Sequence, residues 1–279
     1  MTKIELGRLG IWRPWSELDP ELAKDVEDLG YGAIWIGGSP RGDLKIAERL
    51  LAATDRIVIA TGIVNMWDTP AEEVAASYHR LDGAYGGRFL LGAGIGHPEA
   101  TQEYRSPYET IVQYLDRLDA EGVPVEGRVL AALGPKVLRL SAERAGGAHP
   151  YLTTPEHTRR ARELLGDGPL LAPDQKVVLD TDPERARALA REKIGFYFKL
   201  RNYVSSWKRL GFTDEDVAGE GSDAITDALV AHGDPAAVAA RLTGHLEAGA
   251  DHVAVQVLAG QGEDPRPALR TIAETLSPR

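Results

Sequence analysis

Cysteine is absent from the 279-residue chain, which excludes a disulfide framework, a thiolate nucleophile and cysteine-ligated zinc or iron–sulfur centres. Chemistry here must run on oxygen, nitrogen or a bound cofactor. No apolar run approaches the roughly 18 residues of a membrane span. Residues 1–12 alternate charged and apolar side chains and lack the basic and apolar regions of a signal peptide. A cytoplasmic protein with no membrane partner is therefore expected. Basic residues are outnumbered 32 to 42 by acidic ones, for a formal net charge of −10. With no segregated basic patch, such a chain repels nucleic-acid phosphates. The partners this leaves are a small-molecule substrate and, at most, a second copy of the chain in a homodimer.

What is present is a regular alternation of short apolar, β-branched runs with helix-period segments, the pattern of parallel βα units. Eight such units can be counted. The predicted strands are Ile4 to Ile11, Ala33 to Ile36, Arg56 to Val64, Arg88 to Leu91, Val129 to Leu133, Ala148 to Leu152, Lys176 to Leu179 and His252 to Leu258. Helix openings carry recognisable signals: Asp19-Pro20, Thr69-Pro70 with Thr69 as cap, Thr154-Pro155-Glu156 and Asp182-Pro183-Glu184. Eight repeats fit a closed (β/α)8 TIM barrel better than an open doubly wound sheet. The stretch 199–234 breaks the rhythm and reads as a short helical insertion between the seventh and eighth strands. No low-complexity linker divides the chain, so residues 1–279 form one predicted domain.

In such a barrel the site lies at the carboxyl ends of the strands. This selects Trp12 and Arg13, Ser39 and Arg41, Asn65 to Trp67, Gly94 to His97, Gly134, Tyr151 to Thr154, and Gln256. Two of these loops lead into helix N-termini suited to an anion, Leu133-Gly134-Pro135 and Leu152-Thr153-Thr154-Pro155, where free N–H groups and the helix dipole favour a phosphate. Thr154 reads equally well as a plain N-cap. The Gly94-x-Gly96 pair suggests close approach of backbone to a flat ligand. It is not a dinucleotide fingerprint, which follows the first strand of a βαβ unit. The lysines fall on helices, surface segments or strand starts, the histidines show no metal-ligand spacing, and no serine sits in a nucleophile elbow. A cofactor is left to do the chemistry. Trp35 reads as core, Trp12 and Trp67 as core or stacking groups, and Gln256 as either ring-facing or core-bonded.

Three segments carry a family resemblance. They are Gly83-Ala84-Tyr85-Gly86-Gly87-Arg88-Phe89-Leu90-Leu91-Gly92-Ala93-Gly94-Ile95-Gly96; Ala132-Leu133-Gly134-Pro135 through Gly146-Gly147-Ala148; and Gly233-Asp234-Pro235 through His245 to Ala250-Asp251-His252-Val253. Together they resemble the luciferase-like family of F420- and flavin-dependent oxidoreductases over essentially the whole chain, and Pro150 to Thr158 is similar to an F420-linked branch. The resemblance implies coenzyme F420, with FMN as the alternative, in the barrel mouth. Val64, Asn65, Met66, Gly94, Ile95 and Gly96 would meet the ring. Leu133, Gly134, Pro135, Thr153 and Thr154 would meet the phosphate, and Arg41, Arg105 or Arg201 the anionic tail. It also implies a non-proline cis peptide within Val64 to Met66. His97 occupies the place of an acidic glutamate in similar F420 sugar-phosphate dehydrogenases, which makes it the first catalytic candidate, with Trp12 second. Strand 2 departs from the family by ending in Gly37-Gly38, where several F420 enzymes carry an acidic residue and a histidine. The implied activity is hydride transfer between F420 and a small organic substrate. FMN-dependent monooxygenation and a non-catalytic cofactor-binding barrel are the alternatives.

Overall fold

The structure, a computed structural model, describes residues 4–96, 106–260 and 262–276. These residues form eleven strands and eleven α-helices, for the most part in alternation. The strands are β1 (Leu9–Pro14), β2 (Ala33–Gly37), β3 (Val58–Thr61), β4 (Val64–Asn65), β5 (Phe89–Gly94), β6 (Arg128–Leu130), β7 (Gly147–Ala148), β8 (Leu170–Leu171), β9 (Asp174–Val178), β10 (Val230–His232) and β11 (Val253–Val257). The helices are α1 (Pro20–Asp28), α2 (Lys45–Ala53), α3 (Ala71–Tyr85), α4 (Pro107–Ala120), α5 (Pro135–Arg144), α6 (Pro155–Leu165), α7 (Pro183–Ile194), α8 (Arg201–Arg209), α9 (Asp223–Leu229), α10 (Pro235–Glu247) and α11 (Arg266–Leu276). Among the described residues no helix is long and apolar enough to cross a membrane.

The strands form one curled parallel sheet in the order β10-β9-β11-β1-β2-β3-β5-β6-β7-β8, with β4 beside β5. Parallel strands covered on both faces need apolar residues throughout, and β2, β3 and β5 are buried at every position. The period-two alternation of side chains sorts them into two cores. Ile11, Ile34, Ile36, Ile59 and Leu91 pack outward under the helices. Trp12, Trp35, Ala60, Leu90, Val129 and Ala254 meet inside the curl. Trp35 is core, as its place in the second strand suggested: it is fully buried, donates from Nε1 to His252 Nε2 at 3.0 Å, and stacks on His149 at 4.1 Å between ring centroids.

Several sequence boundaries shift, each for a local reason. The first strand begins at Leu9 rather than Ile4, which places Trp12 and Arg13 within it. The fourth runs on through Gly92-Ala93-Gly94, because Gly92 leaves room for Thr61: an added Cβ would lie 1.9 Å from the Thr61 carbonyl oxygen. The third strand divides into β3 and β4, and the cis peptide is Gly62–Ile63, not within Val64 to Met66. That break falls where pairing moves from β2 to β5: Gly62 N still donates to Ile36 O at 2.8 Å, while Val64 and Asn65 register with Ala93 and Gly94. Thr69 does not cap α3; Pro70 occupies the cap position. The seventh predicted strand begins earlier, at Asp174, and is preceded by β8. Ala172 N donates to Ala148 O on β7, and Ala254 N on β11 donates to Pro173 O, both at 2.9 Å. Residues 199–234 contain α8 and α9, as the helical reading predicts, and also β10, which it does not.

Candidate functional site

The carboxyl ends of the strands open into a cavity of about 530 Å³, within the roughly 300–1,000 Å³ of small-molecule sites. Of the residues singled out in the sequence, Trp12, Ser39, Asn65, Ile95, Gly96, Leu133, Gly134 and Tyr151 line it. Val64, Met66, Gly94, Pro135, Thr153 and Thr154 do not. Gly94 lies in the sheet with no room for a side chain, since an added Cβ would sit 2.8 Å from Ala131 Cβ and 3.0 Å from Ile63 Cγ1. Val64 and Met66 are buried in the outer core. Thr154 acts as the N-cap of α6, accepting from His157 N, and Thr153 Oγ1 is buried without a partner. His97 lies outside the described residues, as does Arg105.

One wall is set by Trp12. Its Nε1 donates to Gly62 O at 2.9 Å, and its ring lies across Gly37, where an added Cβ would fall 1.9 Å from Trp12 Cζ2. The space that an acidic side chain at position 37 would need is occupied by indole. The opposite end is polar. Gly134 is the N-cap residue of α5, with Pro135 in the first turn and no side-chain cap. An added Cβ at Gly134 would meet only Arg209 Nη2, 3.8 Å away. The helix therefore presents backbone donors and the positive end of its dipole to open space, beside Lys136, which also lines the cavity.

A second cavity, of about 800 Å³, lies alongside, and Trp12, Tyr151 and Tyr197 line both. Tyr151 Oη donates to Gln256 Oε1 at 3.1 Å and accepts from Tyr197 Oη at 3.4 Å. Lys176 Nζ lies 3.5 Å from the centroid of the Tyr151 ring and 2.7 Å from Asp174 Oδ2, with both charged side chains buried. Asp174 also accepts from Leu152 N. Burial lowers the Lys176 ammonium below its ordinary range, against the opposing pull of Asp174, and raises the Tyr151 phenol. His149 lines the smaller cavity. Its Nδ1–H donates to Ala172 O at 2.6 Å, its Nε2 is buried without a partner, and burial pulls it down to about 4, so the ring is neutral. Tyr151 and Gln256 were among the strand-end candidates; Asp174 and Lys176 were not. A signal was present in the Asp-x-Lys spacing, which sets both charges on one face of a buried strand.

Residues 19–119 match the family model described as luciferase-like monooxygenase. The resemblance to the luciferase-like family is borne out. Solved structures share the fold across nearly the whole chain. An F420-dependent secondary alcohol dehydrogenase, in complex with an F420–acetone adduct, is 13% identical with a TM-score of 0.75, covering 97% of this chain and 98% of its own. The coenzyme F420-dependent tetrahydromethanopterin reductase from Methanopyrus kandleri is 17% identical with a TM-score of 0.69, covering 96% and 98%. The oxygenating constituent of 3,6-diketocamphane monooxygenase from Pseudomonas putida, in complex with FMN, is 16% identical with a TM-score of 0.65, covering 97% and 98%. No curated protein matches the chain. In this luciferase-like fold the smaller cavity fits a flat ring: its walls are largely apolar and aromatic, and the uncapped N-terminus of α5 borders it with free backbone donors suited to an anion.

Proposed function

We propose that the chain is an F420-dependent oxidoreductase, moving a hydride between the deazaflavin and a small organic substrate. The observation that carries this reading is the pairing of an apolar, Trp12-walled cavity with the uncapped N-terminus of α5. The first suits the ring and the second its phosphate. Bound there, the deazaflavin would supply the hydride. The protein's part is to hold the ring against Trp12, Ile63 and Ile95, to anchor the phosphate at Gly134 with Lys136 and Arg209 nearby, and to keep water from the reacting face. We read the sheet as a closed (β/α)8 barrel in one domain, with residues 170–178 acting as a single bent strand between β7 and β11. A second reading, FMN-dependent monooxygenation, is favoured by the description of the family model and by the FMN-bound neighbour. Fluorescence titration of the purified protein with each cofactor separates the two. F420 should bind at least ten-fold more tightly than FMN. Gly134→Val should lose at least ten-fold in F420 affinity with an unchanged unfolding curve, because the added Cβ would meet only Arg209 Nη2, at an ordinary contact distance of 3.8 Å. FMN binding without F420 binding reverses the cofactor assignment. A folded Gly134→Val protein with full affinity moves the phosphate away from α5.

A further inference from the structure

We infer that the larger cavity is the substrate chamber, that it takes an uncharged alcohol or carbonyl compound, and that Tyr151 hands the proton to or from the reacting oxygen. The inference rests on the reading just given and adds to it the substrate class and the proton donor.

Most of the charged groups around this chamber are engaged with one another or with backbone. Arg13 pairs with Glu17, Lys193 with Glu192, and Arg266 with Asp264 and Asp25. The carboxylates of Asp19 and Glu263 accept from Leu22 N and Gly260 N, and Lys176 is held by Asp174. A charged substrate would compete with these contacts, Arg13 Nε being buried without a partner of its own. An uncharged molecule meets instead the neutral polar groups of the shared wall: Tyr151, Tyr197 and the Gln256 amide. Tyr151 alone combines three properties. It borders both chambers, so an oxygen bound on one side lies beside a ring bound on the other. Its hydroxyl hydrogen is directed at a carbonyl-type acceptor, Gln256 Oε1, which a substrate oxygen can replace. Lys176 stands over its ring, ready to offset negative charge on the phenolate. His149 cannot serve, because its only N–H is committed to Ala172 O.

The step balances as follows. In reduction the deazaflavin, held at Trp12, Ile63 and Ile95, would supply the hydride to the carbonyl carbon, and the C=O π pair would move onto oxygen. The Tyr151 O–H bond breaks and its proton joins that oxygen, giving the alcohol. The phenolate is then reprotonated from solvent through Tyr197, whose hydroxyl already donates to it. Oxidation of an alcohol is the reverse.

The test compares wild type with Tyr151→Phe, which removes only the hydroxyl. Cofactor-free protein is first titrated with cyclohexanol, cyclohexanone and cyclohexanecarboxylate by ligand-observed NMR. The two neutral probes should bind, the carboxylate at least ten-fold more weakly, and Tyr151→Phe should weaken cyclohexanol about three- to ten-fold with an unchanged circular dichroism melt. With reduced F420 loaded, single-turnover reduction of cyclohexanone should fall roughly 10²- to 10⁴-fold in Tyr151→Phe with F420 affinity unaltered. Preferential binding of the carboxylate, or no binding by either neutral probe, overturns the chamber assignment. Unchanged hydride transfer in Tyr151→Phe overturns the role of Tyr151. If wild type fails to bind F420, the cofactor reading falls, while the cofactor-free titrations still decide the chamber.

Discussion

Trp12 keeps its place because its neighbour across the strand has no side chain. Gly37, read in the sequence as a missing acidic residue, is required by indole packing: the ring fills the volume a Cβ would occupy. Gly37→Ala should therefore push Trp12 off the Gly62 carbonyl, at an overpacking cost of about 1–3 kcal/mol. It should also weaken ring binding in the cavity that Trp12 walls. Urea unfolding checks the first effect and F420 titration the second. A variant with unchanged stability and affinity would show that Trp12 has room to move. The reason for this glycine was not legible in the sequence, because the group that imposes it is distant in the chain and close only in the folded sheet. Glycines elsewhere mislead in the same way. Gly94, taken as a ligand-facing position, is instead small because Ala131 and Ile63 pack against it.

At the scale of elements, the alternation of apolar runs and helices located the parallel sheet and nearly all its helices, because buried strands and amphipathic helices write their periods directly into the chain. It failed where a strand is too short to show a period. β8 and β10 contain two and three residues, and their pairing is fixed by neighbours, not by their own pattern. At α5 glycine leaves the cap position bare, the condition on which the helix-terminus argument for anions depends. It did not carry over to α6, where the Thr154 hydroxyl caps the helix itself. The third resemblance segment is a structural seam. His245 donates from Nε2 to Gln175 Oε1 at 2.9 Å and accepts from Thr158 Oγ1 at 2.8 Å, joining α10 to β9 and α6. Asp251 binds Arg162 and accepts from Leu171 N. A motif strong enough to mark the family thus supplies ties between layers and leaves the chemistry to the loops.

For the molecule as a whole, four buried histidines among the described residues, His149, His157, His245 and His252, set its response to acid, burial holding each below its ordinary range. Burial holds His149 and His252 at about 4 and His245 at about 3, against 6.5 for the exposed group. Their folded values are depressed, so between pH 6.5 and about 4 the unfolded chain binds protons that the native one does not. Stability is then lost as pH falls through that window, by up to about 1.4 kcal/mol per unit for each histidine. Urea midpoints should be flat above pH 7 and drop steeply from pH 6 to pH 4; a midpoint unchanged between pH 7 and pH 5 would contradict this. Added salt, by contrast, should act on the two halves of the mouth unequally. Trp12, Tyr151 and Tyr197 line both a chamber with an open helix terminus, where a bound anion would lie near Lys136 and Arg209, and one whose charges mostly face one another. Screening over a Debye length of about 8 Å at physiological ionic strength weakens the first kind of attraction and leaves the second nearly untouched. Across a potassium chloride series, cofactor affinity should decline while neutral-probe affinity stays level, so ionic strength becomes a dial that empties one chamber without disturbing the other.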